Sequence, residues 1–480
     1  METITIKKYN EVYNRIICDP GVAKEISDHF TFDVPGAKFM PSFKNKVWDG
    51  KIRIFNSMSC LLYSGLNDQL EAFCKVRDYT VEYDNIEADT EFSVLEAKEF
   101  IEKLSPKHQP RDYQLDSFIH AVRKRKSLLV SPTASGKSLI IYLLTCWYNT
   151  KTLIIVPTTS LVHQMASDFE DYGYPKNHIH KIMSGQEKES DHLIYVSTWQ
   201  SIYKMPKTWF NKFNVVIGDE AHLFKAKSLI KIMTNLDNCK YRFGFTGTLD
   251  GTETNKLILQ GLFGPVRKVT TTAELMSKKQ VANLQIKAIV LKYPEQERKD
   301  IVGKDYQTEI DYIVTHSKRN KFIKNLALSL EGNTLLLFQY VDKQGKPLYD
   351  LIERSSKDRR VFFISGEIEG EKREEIRKFI EEEKDAIVIA SFGTSSTGIN
   401  IRNLHNIIFA SPSKSRVRNL QSIGRGLRLS ENKISTTLYD IADDFSIKNK
   451  RNHTITHFVE RVKIYNEEKF NYKIYNVDLT

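Results

Sequence analysis

Cysteine is scarce in this sequence: five residues in 480, at Cys18, Cys60, Cys74, Cys146 and Cys239. They are odd in number, far apart, and form neither a CxxC pair nor a Cys/His cluster. That argues against a disulfide framework and a zinc site, and a reducing cytosol is expected. Long apolar runs are missing as well. Stretches such as Leu139–Trp147 fall short of the roughly 20 residues that a helix needs to cross a bilayer. The N-terminal METITIKKYNEV has no apolar signal core, so secretion is not expected. Neither an internal repeat nor a low-complexity segment is found, which sets aside solenoids and disordered tracts. What remains is a soluble globular protein.

What the sequence does have is length and positive charge. A chain of 480 residues exceeds one ordinary core and suggests two to four domains. Its 71 basic and 60 acidic residues leave a formal charge of +11, which favours a polyanionic partner, because neutralised phosphates release counterions.

Residues 1–85 read as a small α+β unit. Ile4–Lys7 and Tyr13–Cys18 alternate like strands, Gly21–Phe30 and Asn67–Val76 like helices, and Lys51–Phe55 with Leu61–Tyr63 like a strand pair. Acidic residues across Glu82–Glu96, then Pro106 and Pro110, put a boundary near residue 100. From about 111 the pattern changes to short β-branched runs alternating with helix-length segments. The runs are Ser127–Val130, Thr152–Val156, Leu193–Val196, Val215–Ile217 and Tyr241–Phe245. After a pause around Gly261–Lys279 they resume at Leu284–Leu291, Thr334–Phe338, Val361–Ile364, Ala386–Ala390, Asn406–Phe409 and Thr436–Asp440. Such alternation predicts βαβ units and parallel sheets. The expected organisation is an α+β domain over 1–100, α/β domains over 101–275 and 276–445, and a polar, partly helical tail over 446–480.

Ser127–Leu139 (SLLVSPTASGKSL) runs from a buried strand through a turn of small residues into a helix. Thr133, Ala134, Ser135 and Gly136 let backbone N–H groups approach phosphates, and the helix N-terminus adds partial positive charge. Lys137 can reach the β/γ oxygens and Ser138 can ligate Mg²⁺. Ser131 stands where GxxxxGK[ST] has its first glycine. Downstream, an apolar strand delivers Asp219-Glu220-Ala221-His222 at its C-terminal end, where open α/β sheets place ligands. Asp219 can hold the Mg²⁺ shell, and Glu220 can orient or deprotonate a water. Together the two motifs point to nucleotide hydrolysis. Arg111-Asp112-Tyr113-Gln114 lies shortly before the loop, and the Gln114 amide matches the N6/N7 edge of adenine, with Tyr113 beside it. In Gln421-Ser-Ile-Gly-Arg425-Gly-Leu-Arg428, arginines at i and i+3 share one helix face and can aim two forks at a polyphosphate.

The order RDYQ, SPTASGKS, VPTTSLVHQ, VSTWQS, DEAH, FTGT, ASFGTSSTGIN and QSIGRGLR resembles the motif set of superfamily 2 helicases, over roughly residues 110–430. The resemblance implies two RecA-like domains using ATP and Mg²⁺, with Gln421, Arg425 and Arg428 catalytic and Gly398 near the nucleotide. It implies that Thr246, Gly247 and Thr248, with His222, couple hydrolysis to movement. Pro157, Thr158, Thr198 and Gln200 would line the nucleic-acid track on the first domain. Phe338, Gln339, Ser365, Gly366 and Ser391 would line it on the second. The missing glycine at Ser131 is tolerated in that superfamily.

A second resemblance lies outside the motor. Phe39-Met-Pro-Ser-Phe43 and Trp48-Asp-Gly-Lys-Ile-Arg53 are similar to the N-terminal domain of the UvsW helicases of T-even-type phages. GLFGPVRKVTTTAEL (261–275), SKRN (317–320) and EKFNY (468–472) agree with it. It implies a helicase of the host-cell cytoplasm acting on branched DNA in recombination, repair and replication: fork regression, Holliday-junction branch migration, and unwinding of D-loops and R-loops, the last containing RNA. A monomer is expected, with recombination or single-strand-binding proteins as candidate partners and no membrane. Around Trp48, the basic Lys38, Lys44, Lys46, Lys51 and Arg53 interleave with Phe39 and Phe43. Basic groups can grip phosphates while rings stack on bases or wedge at a junction. The same rings could equally form the core of a small domain.

Other classes stay open at this stage. DEAH also resembles RNA-directed helicases, although few residues follow the motor. A translocating restriction subunit shares the motor, but residues 1–100 carry no nuclease constellation. An ATP-gated clamp without turnover would be expected to lose Glu220 and Arg425.

Overall fold

The computed structural model describes residues 2–249, 252–366, 370–394, 401, 403–413, 415–427, 433 and 435–479, without the side chains of 371–374, 377, 416–418 and 425. The chain divides into two compact units, Met1–Ser131 with Gly136–Val269, and Pro132–Ser135 with Thr270–Thr480. It is α/β, with one seven-stranded sheet in each unit and a small α+β domain at the N-terminus.

In the N-terminal domain, β1 (Thr3–Lys8) and β2 (Tyr13–Ile17) pair antiparallel, with Ile6 opposite Ile16. Alternation turns Ile4, Ile6 and Ile16 inward. A helix, Pro20–His29, starts at Asp19, whose carboxylate accepts from the Gly21 N–H. β3 (Thr31–Asp33) then pairs with β4 (Lys51–Arg53), while β5 (Leu61–Tyr63) joins β2 and β6 (Thr80–Asp84) runs parallel to β1. The expected pairing of Lys51–Phe55 with Leu61–Tyr63 is thus corrected, apart from a single bridge between Asn56 and Leu61. Burial explains the split. Leu62 is fully buried and belongs on the packed sheet, whereas Lys51 and Arg53 face water and suit a two-stranded flap.

The expected limit at residue 100 is also corrected. It falls inside the helix Val94–Leu104, whose start is fixed by a reciprocal Ser93/Glu96 cap. That helix buries Ala97 and Ile101 in the core around Phe118 and Ile140. The small domain itself ends with β6. Its own core is continuous with one face of the first large sheet, since Leu62, Leu66 and Phe73 share a cluster with Leu128, Leu153 and Phe263. Gly65 permits this fusion, because a Cβ there would lie 2.1 Å from the Gln260 carbonyl oxygen. Lys126 adds a polar tie, pairing with the Glu11 carboxylate at 3.0 Å and donating to its backbone carbonyl at 2.8 Å. Burial pulls that ammonium down to about 8, against the pull of Glu11.

The first large sheet contains β7 (Lys126–Val130), β8 (Thr152–Val156), β9 (Ile179–Ile182), β10 (Ile194–Thr198), β11 (Val215–Asp219), β12 (Tyr241–Thr246) and β13 (Val266–Lys268). Their order is β13-β7-β12-β11-β8-β10-β9, and every pair is parallel. The central strands are mostly apolar and almost wholly buried because helices cover both faces. The second sheet contains β14 (Asn283–Lys292), β15 (Thr334–Phe338), β16 (Val361–Ile364), β17 (Ile387–Ser391), β18 (Asn406–Phe409), β19 (Ser435–Asp444) and β20 (Asn471–Asp478). It runs β16-β17-β15-β18-β19-β14-β20, again all parallel. These are tandem RecA-like domains.

Residues 446–480 are not a tail. They form the helix His453–Glu467, which buries Phe458, Arg461 and Tyr465, and then β20, which lines up with β14 from Gln285 to Lys292. The segment therefore completes the second sheet.

Candidate nucleotide site and nucleic-acid surface

The C-terminal edge of the first sheet gathers the chemistry. β7 ends at the loop Ser131–Gly136, whose Ser131 N–H donates to the Thr246 carbonyl on β12 at 2.8 Å. Ala134 and Gly136 both take positive φ, 67° and 75°, so the backbone turns tightly before the helix Lys137–Tyr148. Ser135 closes the turn with a 2.7 Å bond to the Pro132 carbonyl. Lys137 and Ser138 are therefore the first helical residues, beside N–H groups that have no intrahelical acceptor. Ser138 shares a 2.7 Å hydrogen bond with the Tyr172 hydroxyl, a partner that no local sequence signal announces.

Gln114 sits beneath this loop. Its Oε1 accepts from the Arg111 N–H at 2.8 Å and its Nε2 donates to the Gly136 carbonyl at 3.1 Å. The amide is nearly buried, so it holds the loop from below. Tyr113, also largely buried, receives a bond from Arg111 at 3.1 Å.

β11 is flanked by β12 and β8 and delivers Asp219 at its end. Glu220 follows in the left-handed region, φ 51°, which turns its carboxylate toward the loop. Its Oε1 lies 4.0 Å from Lys137 Nζ and its Oε2 3.3 Å from His222 Nδ1. His222 Nδ1 is also 3.1 Å from the Thr246 hydroxyl, which donates to the Thr248 carbonyl at 2.7 Å. A continuous polar path thus joins Lys137, Glu220, His222, Thr246 and Thr248. Burial, reinforced by the adjacent Glu220 charge, pushes Asp219 up to about 6, while Lys137 acts against the shift.

A hard divalent cation fits this arrangement. Asp219 and Ser138 offer oxygen donors, and a cation would favour the ionised Asp219 that burial disfavours. Among the described residues, no group of three or more His, Cys, Asp or Glu is set to hold a metal.

Further along the same edge, Pro157 and Thr158 follow β8, and Thr198 ends β10 with Gln200 just beyond. Thr158 caps the helix Thr159–Tyr172, and the Thr198 hydroxyl lies 2.9 Å from that of Ser201. In the second unit, Gln339, Gly366 and Ser391 follow or end the neighbouring strands β15, β16 and β17. Ser391 shares a 2.7 Å bond with Thr394, and among the described residues nothing lies within 4 Å of where a Gly366 Cβ would be. Gln421 lies on the helix Arg416–Gly426. Gly398, Arg428 and the Arg425 side chain lie outside the described residues.

The aromatic segment of the N-terminal domain is on the surface. Phe39 is 70% exposed, Val47 81% and Phe43 38%, whereas the core uses Ile4, Leu62, Leu70 and Phe73. The Trp48 indole is half-buried and donates to the Lys51 carbonyl at 2.8 Å. Lys38, Lys44, Lys46, Trp48 and Arg53 line a concavity of about 870 Å³ there. Two of the expected cations are partly neutralised, Arg53 by Asp49 and Lys51 by Asp33 at 3.9 Å.

The N-terminal domain family of the DNA helicase UvsW matches residues 3–84. The type III restriction enzyme res subunit family matches 98–251, and the helicase conserved C-terminal domain matches 317–430. The ATP-dependent DNA helicase uvsW of Enterobacteria phage T4 is 36% identical over 493 residues, covering 97% of each chain. The crystal structure of T4 UvsW aligns along all of both chains at 34% identity, with a TM-score of 0.52. A DNA 3′-5′ translocase, XPB2, of Sulfurisphaera tokodaii is 27% identical over 241 residues, 49% of this chain and 53% of that one.

Proposed function

The chain belongs to the UvsW family of ATP-hydrolysing superfamily 2 DNA helicases, and on that premise we propose that it remodels branched DNA. The proposed reactions are fork regression, Holliday-junction branch migration and unwinding of D-loops and R-loops, in phage recombination, repair and replication within the host cytoplasm. Travel 3′ to 5′ and work with recombination or single-strand-binding proteins belong to the same reading. The observation that carries it is a surface segment rich in basic and aromatic residues, Lys38 to Arg53, on a domain fused to the ATPase sheet through one continuous core.

In the proposed mechanism, N–H groups at the start of the Lys137–Tyr148 helix and the Lys137 ammonium hold the β/γ phosphates of ATP. Bound Mg²⁺, held by Asp219 and Ser138, would supply charge neutralisation at those phosphates. Glu220 orients a water and takes its proton as the oxygen attacks the γ-phosphorus. The bond to the bridging oxygen breaks, leaving ADP and inorganic phosphate. Arg425 and Arg428, with Gln421, are assigned to the charge that develops on the transferring group. The Glu220–His222–Thr246 path is assigned to reporting that step to Gly247 and Thr248 (the motif after β12). Pro157, Thr158, Thr198, Gln200, Gln339, Gly366 and Ser391 are assigned to the strand being tracked, and Lys44, Lys46, Trp48, Lys51 and Arg53 to the branch.

ATP hydrolysis measured side by side on a four-way junction, a fork, a linear duplex and an RNA duplex tests this. Junction and fork should stimulate most. Highest stimulation by RNA, or a full rate with no nucleic acid, would overturn the reading.

A further inference from the structure

Among the charged side chains that the second unit buries almost completely are Arg319, Asp440, Asp443 and Arg461. Asp443 accepts from Arg319 Nε at 2.7 Å and Nη2 at 3.0 Å, and from the Tyr293 hydroxyl at 2.8 Å. Asp440 repeats the pattern. It accepts from Arg461 Nε at 2.9 Å and from the Tyr465 hydroxyl at 2.8 Å, and its second oxygen lies 2.9 Å from Arg461 Nη2 as an ion pair. Both aspartates lie on β19 three positions apart, so the pleat turns them to opposite faces of the sheet. Tyr439 and Ile441 pack with Ile323 of the helix Ser317–Ser329 on one face, and Ala442 packs with Phe458 of the helix His453–Glu467 on the other. Arg319 and Arg461 therefore reach the strand from opposite sides.

Each guanidinium also spends an N–H on the same turn. Arg319 Nη2 donates to the Ala410 carbonyl at 2.8 Å, and Arg461 Nη1 donates to the Ser413 carbonyl at 3.1 Å. This turn joins β18 to the helix Arg416–Gly426. Gln344 gives the Ala410 carbonyl a second donor at 3.0 Å, and Asn419 gives the Ser413 carbonyl one at 3.3 Å. The far end of the helix is tied as well, with Gly426 accepting from the Thr436 hydroxyl and Leu427 from the Ala282 N–H. Buried ion pairs are poor sources of stability, since apolar residues of similar volume often do as well or better. Such residues could fill the space but could not hold two carbonyls.

We propose that Arg461 and Arg319 are positioning residues for the helix that carries Gln421 and Arg425. Two clamps, one from each face of the sheet, fix the turn from which that helix starts. This gives the C-terminal helix, which follows every helicase motif in the chain, a part in ATP turnover. Its catalytic arm rests on the reading of Arg425 given above.

The test uses full-length Arg461→Met, Arg461→Lys and the double variant Asp440→Leu/Arg461→Met, with hydrogen–deuterium exchange over 415–427 and DNA-stimulated ATP hydrolysis. Arg461→Met should speed exchange in that helix by about tenfold or more. It should lower kcat by roughly tenfold or more and leave KM for ATP within about twofold. The double variant should regain thermal stability while kcat stays low. Added to Arg425→Ala, Arg461→Met should cost nothing further, because the two act through one group. Unchanged exchange, or a double variant that regains kcat along with stability, would overturn the clamp. Should Arg461→Met fail to fold, Arg461→Lys and the double variant carry the same comparison. Wild-type turnover by Arg425→Ala would sink the role given to Arg425, while the exchange data would still decide the clamp.

Discussion

Both large sheets bury aspartates on interior strands, and the two units treat them in opposite ways. Asp219, at the end of β11, has a carboxylate neighbour and a single opposing ammonium, and burial raises it to about 6. Asp440 and Asp443, on β19, each meet an arginine fork and a tyrosine hydroxyl. Incomplete compensation marks a place prepared for a further charge, here a cation with its phosphates. A charge paired within the core marks scaffold.

The sharpest way to break this contrast is at the loop. Lys137→Ala or Glu220→Gln should lower the DNA-stimulated rate of phosphate release by about 10³-fold or more while DNA binding persists. Next in size, Arg319→Met strands the Asp443 charge and should cost about 3–5 kcal/mol in chemical denaturation. Asp219→Asn should do the reverse, stabilising nucleotide-free protein by about 1–2 kcal/mol at pH 8 while hydrolysis collapses. The sign follows from its raised folded-state value. Between its ordinary value of 3.8 and about 6 the native protein holds a proton that the unfolded chain has released, so this group's contribution falls as pH rises. Urea unfolding at pH 4 and pH 8 should show that difference in wild type and a smaller one in Asp219→Asn. The smallest effect belongs to charge that was never buried. Lys44→Ala/Lys46→Ala should weaken DNA binding several-fold and reduce the slope of log affinity against log salt by about 1–2.

Much of the site was legible in the sequence because its residues are contiguous. Ser131–Ser138 and Asp219–His222 each follow an apolar run, and the strand that ends there fixes where they lie. What stayed hidden depends on distant partners or weak strands. Asn471–Asp478 reads as a polar tail because β20 is an edge strand with mostly exposed side chains. β13 is three exposed residues, too short for a period. Arg461 is 48 positions from Ser413 and 21 from Asp440, and Tyr172 is 34 from Ser138. No local pattern links such pairs. Around Trp48 composition allowed either a core or a surface, and exposure of Phe39 and Val47 decides for the surface.

One measurement tests the central claim most directly. A labelled four-way junction is incubated with wild-type protein or Glu220→Gln, with and without ATP, and the products are separated on a native gel. Wild type should convert the junction to duplex arms only when ATP is present, and Glu220→Gln should bind the junction and leave it intact. A junction untouched by wild type under conditions where it unwinds an RNA duplex would contradict the account.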